Sequence, residues 1–309
     1  MGGSTPKMLK PRRRHWFPFE ALEFPTSSQI KSDFRRLPLP SIIQTARWAA
    51  AQRAMESERI DRLFSDPLAP GLAGSEGMLV LQLSEKYNPR HKETANYIAI
   101  RTRFFDDIAQ SAASERIRQV VLPAAGMDAR AYRLSWPVDT TLYEVDHPEL
   151  LTTKEEILRR HDRAPQCKRI TIGADLKQGW SHMLLEAGFV PSKPSAWLIE
   201  GLFYYLEEPV VNYVLKEVSS LATPGSVLVT DLVSQALLTS PWMAQALKSM
   251  EEQGMGWRFG TDDPAGLFAA HGWHAVTKQP GEQGTRYNAQ RFPPQAGSTW
   301  SFFVVAQRT

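Results

Sequence analysis

Beyond Arg118 the chain alternates short apolar, β-branched runs with amphipathic stretches of helical period. The runs lie near 119–124, 140–146, 168–173, 196–200, 226–232, 273–278 and 300–307, and they predict seven strands. Helices are predicted between them near 128–134, 147–161, 178–187, 208–222 and 262–271. Apolar strands separated by helices predict an α/β fold with a mostly parallel sheet covered on both faces. Gly188, Pro224-Gly225 and Gly272 stand where helices should stop and strands begin. After the fifth strand the alternation is interrupted. There 234–261 carries Trp242, Met243, Met250, Met255 and Trp257 at helical spacing, which reads as an inserted lid helix or as plain core.

Upstream, Ile42, Thr45, Ala46, Ala49, Ala50 and Arg53 keep a period near 3.6 from Ser41 to about Arg59, until Asp66-Pro67 breaks the pattern. A second helix fits Thr94 to Ala113, with Tyr97, Ile98, Arg101, Phe104, Phe105 and Ile108 along one stripe. Residues 1–40 are rich in proline and hold Trp16, Phe17, Phe19, Phe24 and Phe34. Such aromatics suit an arm that packs on something, either over the active site or against a second copy in a homodimer. The organisation expected is therefore an arm at 1–40, cap helices over 41–113 and a sheet core over 114–309.

Composition narrows the class. A hydrophobic content of 42% over 309 residues suits a sizeable core. No apolar run approaches the roughly 20 residues a membrane span requires, and Met1 to Pro6 lacks a signal-peptide core, so a cytoplasmic location is expected. A single cysteine, Cys167, can build neither a disulfide framework nor a multi-thiolate metal site, and no metal is expected. The net charge of +3 comes from Lys7, Lys10, Arg12, Arg13 and Arg14, which outweigh it, so the body is slightly acidic. No nucleic-acid footprint follows from that balance.

The chemistry concentrates at strand ends. Val120-Val121-Leu122-Pro123 runs into Ala124-Ala125-Gly126, a turn of tiny residues, and Asp146 closes the next strand twenty residues past Gly126. Small residues let backbone approach a ligand, and a carboxylate at that place accepts from both hydroxyls of a ribose; its alternative is a helix N-cap. Glu144 is a weaker candidate for that role. Asp175-Leu176, after the third strand, pairs an acceptor with an apolar contact and suits an adenine ring or an ordinary capped turn. Glu200 ends the fourth strand after four apolar residues, where open sheets bind ligands, and burial there demands a cation from a ligand or from an arginine. Arg101 lies on an apolar helix stripe, where a guanidinium can clamp a carboxylate, whereas Arg103 faces elsewhere and reads as solvated. Together these groups ask for adenosine at one end of the ligand and an amino acid at the other, which describes S-adenosyl-L-methionine.

In that order, Thr45-Ala46, Arg53-Ala54-Met55-Glu56, Leu63 to Ala69, Arg101 to Asp106, Gly126 to Leu134, Glu144 to Pro148, Ala174-Asp175-Leu176 and Glu200-Gly201-Leu202 resemble the leucine carboxyl methyltransferase-like family of class I S-adenosylmethionine-dependent methyltransferases. The resemblance runs from about residue 41 to 309 and implies a Rossmann-like fold. It implies that Arg101 binds the cofactor carboxylate, that Ala124, Ala125 and Gly126 pass beneath its methionine part, and that Asp146 holds the ribose. It implies further that Asp175 and Leu176 bracket adenine and that Glu200 holds the amino group. Tyr205 aligns with a tyrosine of the family pattern and is the expected substrate-facing catalytic residue; Tyr204 and His147 are weaker. The chain departs from the family at Ala124, where glycine is usual, and at Ala129, where Thr or Ser is. The extra methyl at 124 is tolerated if its φ is negative.

The function expected is O-methylation of a carboxylate or phenolic hydroxyl on a small aromatic acceptor, as in secondary metabolism. Protein C-terminal carboxyl methylation is the alternative within the family. An NAD-dependent oxidoreductase would want Gly-x-Gly-x-x-Gly where this chain has Ala124-x-Gly126-x-x-Ala129, and it leaves Glu200 unexplained. A non-catalytic binding protein on the same fold is the last reading.

Overall fold

The computed structural model describes residues 42–87, 91–241, 243–252, 255–287 and 301–309, so the expected arm at 1–40 lies outside the described residues. All seven expected strands are present: β1 (Gln119–Pro123), β2 (Thr141–Asp146), β3 (Lys168–Gly173), β4 (Ser195–Ile199), β5 (Val227–Val233), β6 (Trp273–Lys278) and β7 (Ser301–Arg308). They form one sheet in the order β3-β2-β1-β4-β5-β7-β6. The first five strands run parallel, and β7 pairs antiparallel with both β5 and β6.

Strands β1 and β4 are buried along their whole length because apolar side chains point to both faces. Val121, Trp197, Ile199 and Leu228 pack toward α7 (Glu208–Leu221), which presents Val211, Val214, Leu215 and Val218 to them. Val120, Leu122, Ala196, Leu198 and Val229 pack on the other face toward α3 (His91–Ser114), through Ile100, Phe104 and Phe105. Burial of each Val, Leu, Ile and Phe side chain among these contributes about 1.5–3 kcal/mol, which anchors the strands whose ends carry the candidate site.

The cap helices are α1 (Ile42–Ser57) and α2 (Ala69–Tyr87), joined by Ala50, Ala51, Leu68, Leu72 and Ala73. Helix α2 has no counterpart among the elements expected from sequence, because Pro70, Gly71, Gly74 and Gly77 hide its period. Gly77 is required for contact: a Cβ there would lie 2.5 Å from the carbonyl oxygen of Arg47. The remaining helices are α4 (Arg130–Arg133), α5 (Pro148–Leu158), α6 (Ser181–Glu186), α10 (Pro264–Ala269) and α11 (Pro280–Arg286); α11 was not anticipated either. Gly188, Gly225 and Gly272 all take positive φ at the junctions foreseen.

The insert after β5 is not a single helix. It holds a short α8 (Gln235–Leu238) and then α9 (Ala244–Glu252), divided around Pro241, which cannot donate to a continuing helical ladder. Trp242 lies outside the described residues. Among the described residues, no helix is long and apolar enough to cross a membrane.

Candidate active site

Strand β1 is flanked by β2 and β4, so the turns leaving all three lie side by side at the carboxyl edge of the sheet. Asp146 is buried there. Its Oδ2 accepts the Gly126 N–H at 2.7 Å and its Oδ1 accepts the His147 N–H at 2.7 Å. Burial raises the pKa of the carboxyl, and the two backbone donors offset part of that shift. No ion pair to a described residue neutralises it. Each oxygen keeps a lone pair, which gives two acceptors on one rigid group, the arrangement a vicinal diol needs.

Ala124 corrects one expectation. Its φ is +56°, so the methyl is carried in the left-handed region, at a cost of about 1–2 kcal/mol relative to an ordinary conformation. The turn is held nonetheless by the Ala125 N–H on the carbonyl of Val145 at 3.3 Å.

Arg101 and Glu200 meet directly. Arg101 Nε donates to Glu200 Oε1 at 3.0 Å, and Arg130 Nη2 lies 2.7 Å from Glu200 Oε2. The cation that burial of Glu200 demands is thus present within the chain, twice over. Burial alone would raise the Glu200 carboxyl, but Arg130 and Arg101 outweigh it and hold the pKa low. Arg101 Nη1 also donates to Asp231 Oδ2 at 2.9 Å and to the Tyr204 hydroxyl at 3.1 Å. Desolvation opposes that guanidinium charge, yet Asp231, Tyr204 and Glu200 keep it fully protonated. No described residue accepts from Nη2.

Asp231, fully buried in β5, is a site residue that the sequence reading missed. Its Oδ2 accepts from the Tyr97 hydroxyl at 3.0 Å and its Oδ1 from the Gly201 N–H at 2.6 Å. Gly201 has φ +69°, and a Cβ there would come within 3.2 Å of Arg101 Nη1 and 3.3 Å of the Tyr204 oxygen, so this turn needs glycine. Its signal was a lone acid inside the apolar run Val227-Leu228-Val229-Thr230-Asp231-Leu232-Val233, the same signal that singled out Glu200. Arg130 was also missed, since a four-residue helix gives no stripe to read.

Arg130 extends the network. It bonds Asp106 at 2.8 Å and contacts Asp128; Arg133 bonds Asp106 at 2.6 Å; and Arg53 pairs with Asp66 at 2.9 Å while donating to the Met127 carbonyl at 2.5 Å. Glu200, Asp231, Asp106, Asp128 and Asp66 outnumber Arg101, Arg130, Arg133 and Arg53 by one. With Asp146 beside it, the described residues of the site carry surplus negative charge in a buried setting, which favours a ligand carrying positive charge.

The other candidates fall into place around this centre. Asp175 accepts the Lys177 N–H at 2.9 Å, as in a capped turn, and Leu176 is buried beside it. The Ala174 N–H reaches the carbonyl of Asp146 at 2.8 Å, which sets that turn next to the buried acid. Glu144 is wholly buried between Lys154 and Arg169, each at 2.7 Å, and serves the scaffold. Arg103 is not simply solvated: it pairs with Asp107 at 2.9 Å and donates to the Leu63 carbonyl. His147 is the residue before α5 and makes no side-chain cap. Burial pushes the Cys167 thiol up to about 11, which leaves it unreactive. No described group of three or more His, Cys, Asp or Glu could hold a metal ion.

Tyr205 sits on a 3₁₀ turn (Phe203–Tyr205), half-buried, with its ring 4.7 Å from that of Tyr204. Tyr204, not Tyr205, reaches Arg101. Above the turn the insert contributes Leu237, Leu238, Met243 and Trp257 to one apolar cluster with both tyrosines.

Residues 46–219 match the family model described as leucine carboxyl methyltransferase. A protein of Parafrankia sp. (strain EAN1pec), named as an inferred S-adenosyl-L-methionine-dependent methyltransferase, is 37% identical over 271 residues, covering 86% of this chain and 86% of the relative. A Streptomyces coelicolor protein of the same description is 37% identical over 241 residues, covering 75% and 82%. Among solved structures, a DUF574 family protein from Streptomyces avermitilis aligns with a TM-score of 0.60 over 86% of this chain and 97% of that one, at 14% identity. An inferred methyltransferase from Thermobifida fusca aligns with a TM-score of 0.53 over 82% and 96%, at 17% identity. At such identities the structural likeness speaks for the fold.

Proposed function

The chain belongs to the leucine carboxyl methyltransferase family and is an S-adenosylmethionine-dependent methyltransferase, and from that premise we propose that it O-methylates a small aromatic acceptor, most favourably at a carboxylate. One observation carries the cofactor assignment in residue terms. Among the described residues, Asp146 is held by backbone amides alone and lies at the strand end next to a buried network with one carboxylate in excess. A ligand with a ribose diol and a cationic amino-acid tail satisfies both.

In this reading Asp146 accepts from the ribose hydroxyls, Glu200 receives the ammonium, and the Nη2 of Arg101 meets the cofactor carboxylate. Ala124, Ala125 and Gly126 pass beneath the methionine part, while Asp175 and Leu176 border adenine. When bound, the cofactor supplies a methyl group on a sulfonium, which is already a reactive electrophile. The protein's remaining task is to align an acceptor oxygen and exclude water.

Burial raises the pKa of both Tyr204 and Tyr205, so neither is a base near neutrality. A carboxylate, which ordinarily titrates near pH ~4, is ionised at that pH and needs no base. A phenol, titrating near pH ~10, would need one, which favours the carboxylate. Tyr205 and Trp257, with Met243, offer the apolar wall for a flat acceptor. A cytoplasmic place, a role in secondary metabolism and a homodimer built through the 1–40 arm go with this reading.

Glu200→Gln and Arg101→Ala are expected to abolish S-adenosylmethionine binding by calorimetry while the far-ultraviolet dichroism survives; unchanged affinity in either would overturn the site. For the acceptor, a panel of aromatic acids and phenols with methyl-labelled cofactor should show turnover of the acids first. Failure of the whole panel would remove the aromatic-acceptor assignment.

A further inference from the structure

We infer that Tyr204 is a positioning residue that transmits occupancy of the cofactor end to the insert lining the acceptor side. The inference rests on the cofactor reading above. Tyr204 is nearly buried and has three separate attachments. Its hydroxyl accepts from Arg101 Nη1 at 3.1 Å and lies 3.5 Å from Asp231 Oδ2, to which it donates. Its ring packs against that of Tyr205, at 4.7 Å, and that of Trp257 of the insert, at 5.0 Å. Its carbonyl accepts the N–H of Arg258 at 2.7 Å and of Phe259 at 3.4 Å, which pins the returning end of the insert. One residue thus belongs at its head to the charged network and at its body and backbone to the acceptor wall.

The coupling follows from the chemistry of Arg101. Its guanidinium is a planar fork, so a change of partner at one nitrogen tilts the others. A zwitterion entering beside it competes for Arg101 N–H groups and for Glu200 Oε1. Nη1 then moves relative to the Tyr204 hydroxyl, and the ring that Trp257 packs on moves with it. Burial and Asp231 keep the phenol protonated throughout, so it remains a donor. The insert therefore seats fully once the cofactor end is filled, and the acceptor wall is completed second. Coupling is reciprocal: loosening the insert must weaken the cofactor end by the same factor.

The test is hydrogen exchange on the full chain with and without saturating S-adenosylhomocysteine, read at the Arg258 and Thr261 amides. The Thr261 N–H donates to the Val233 carbonyl at 3.0 Å and reports the closing end of the insert. In the wild type the ligand is expected to slow both amides by about fivefold or more, the lower end of ordinary coupling. Tyr204→Phe loses its bonds to the Arg101 guanidinium and the Asp231 carboxylate but none to the ligand, so it should bind the ligand within about tenfold of wild type, the size of the coupling it forfeits, yet lose the slowing. Trp257→Leu, which touches no charged group of the cofactor end, should weaken the ligand several-fold through reciprocity. Wild-type amides unmoved at saturation, slowing retained in Tyr204→Phe, or wild-type affinity in Trp257→Leu would each overturn the inference. Absence of any binding to the wild type would instead overturn the cofactor reading, and the inference with it.

Discussion

Ala124→Gly should leave the protein as stable as before or more so, against the usual direction of an Ala→Gly change. The native φ of +56° gives back about 1–2 kcal/mol when the Cβ is removed. Against this, the unfolded chain gains freedom worth about 0.4–1 kcal/mol. The half-buried methyl forfeits about 0.4 kcal/mol, half the value of a fully buried one. The balance runs from about 0.4 kcal/mol of loss to about 1.2 kcal/mol of added stability, centred on a small gain. Ala125→Gly is the matched control, because Ala125 is buried and its φ lies outside the left-handed region. It relieves no strain and should cost about 1–2 kcal/mol. Denaturant unfolding of the two variants, compared at equal slope, measures the gap between them. Equal destabilisation by both would refute the strain argument. Calorimetry on Ala124→Gly should also show cofactor affinity equal to or tighter than wild type, since the methyl removed belongs to the turn proposed to pass beneath the cofactor.

Two further outcomes separate site from scaffold. Burial raises the Asp146 carboxyl above its unfolded value, so the folded state binds that proton more tightly, and ionisation lowers stability as pH rises through the folded pKa. Ribose needs the ionised form, so cofactor affinity should fall on the acid side beginning above about 3.9, the ordinary Asp range; Asp146→Asn should bind weakly and lack that limb, and identical acid limbs would count against the role. Lys154→Met leaves Glu144 with Arg169 alone and should cost about 3 kcal/mol by denaturant unfolding, with cofactor affinity unchanged in the folded fraction; a matching loss of affinity would place Glu144 in the site.

The strands were legible because each is an apolar run of ordinary length bounded by turn residues, and all seven fall within a residue or two of where the pattern put them. Helix α2 was not, because its glycines serve close packing against α1 and erase the periodic signal. The 234–261 segment announced itself as an interruption, but its division into α8 and α9 depends on local turns that hydrophobic spacing does not encode. Arg101 and Glu200 stood out because a charge among apolar neighbours must be paired. Asp231 carries the same mark inside β5, but a charge within a strand, unlike one at its carboxyl end, does not by itself point to the ligand crevice. That Arg101 and Glu200 pair with each other, with Arg130 as a third member, depends on how α3 and α4 lie against β4, a tertiary fact. Tyr204 and Tyr205 are adjacent in a 3₁₀ turn, and only the backbone course decides which of them reaches the guanidinium.

The two ends of the 234–261 segment are stitched together by the Thr261 N–H on the Val233 carbonyl, and the Ser234 side chain caps α8 at its entry. Such a closed base makes the segment an exchangeable cassette. On the proposed reading, transplanting the equivalent stretch from a relative with a different acceptor, cut between Val233 and Thr261, is expected to alter what is methylated while β5 keeps its register with β4 and β7 and the proposed methyl-donor cradle stays as it was.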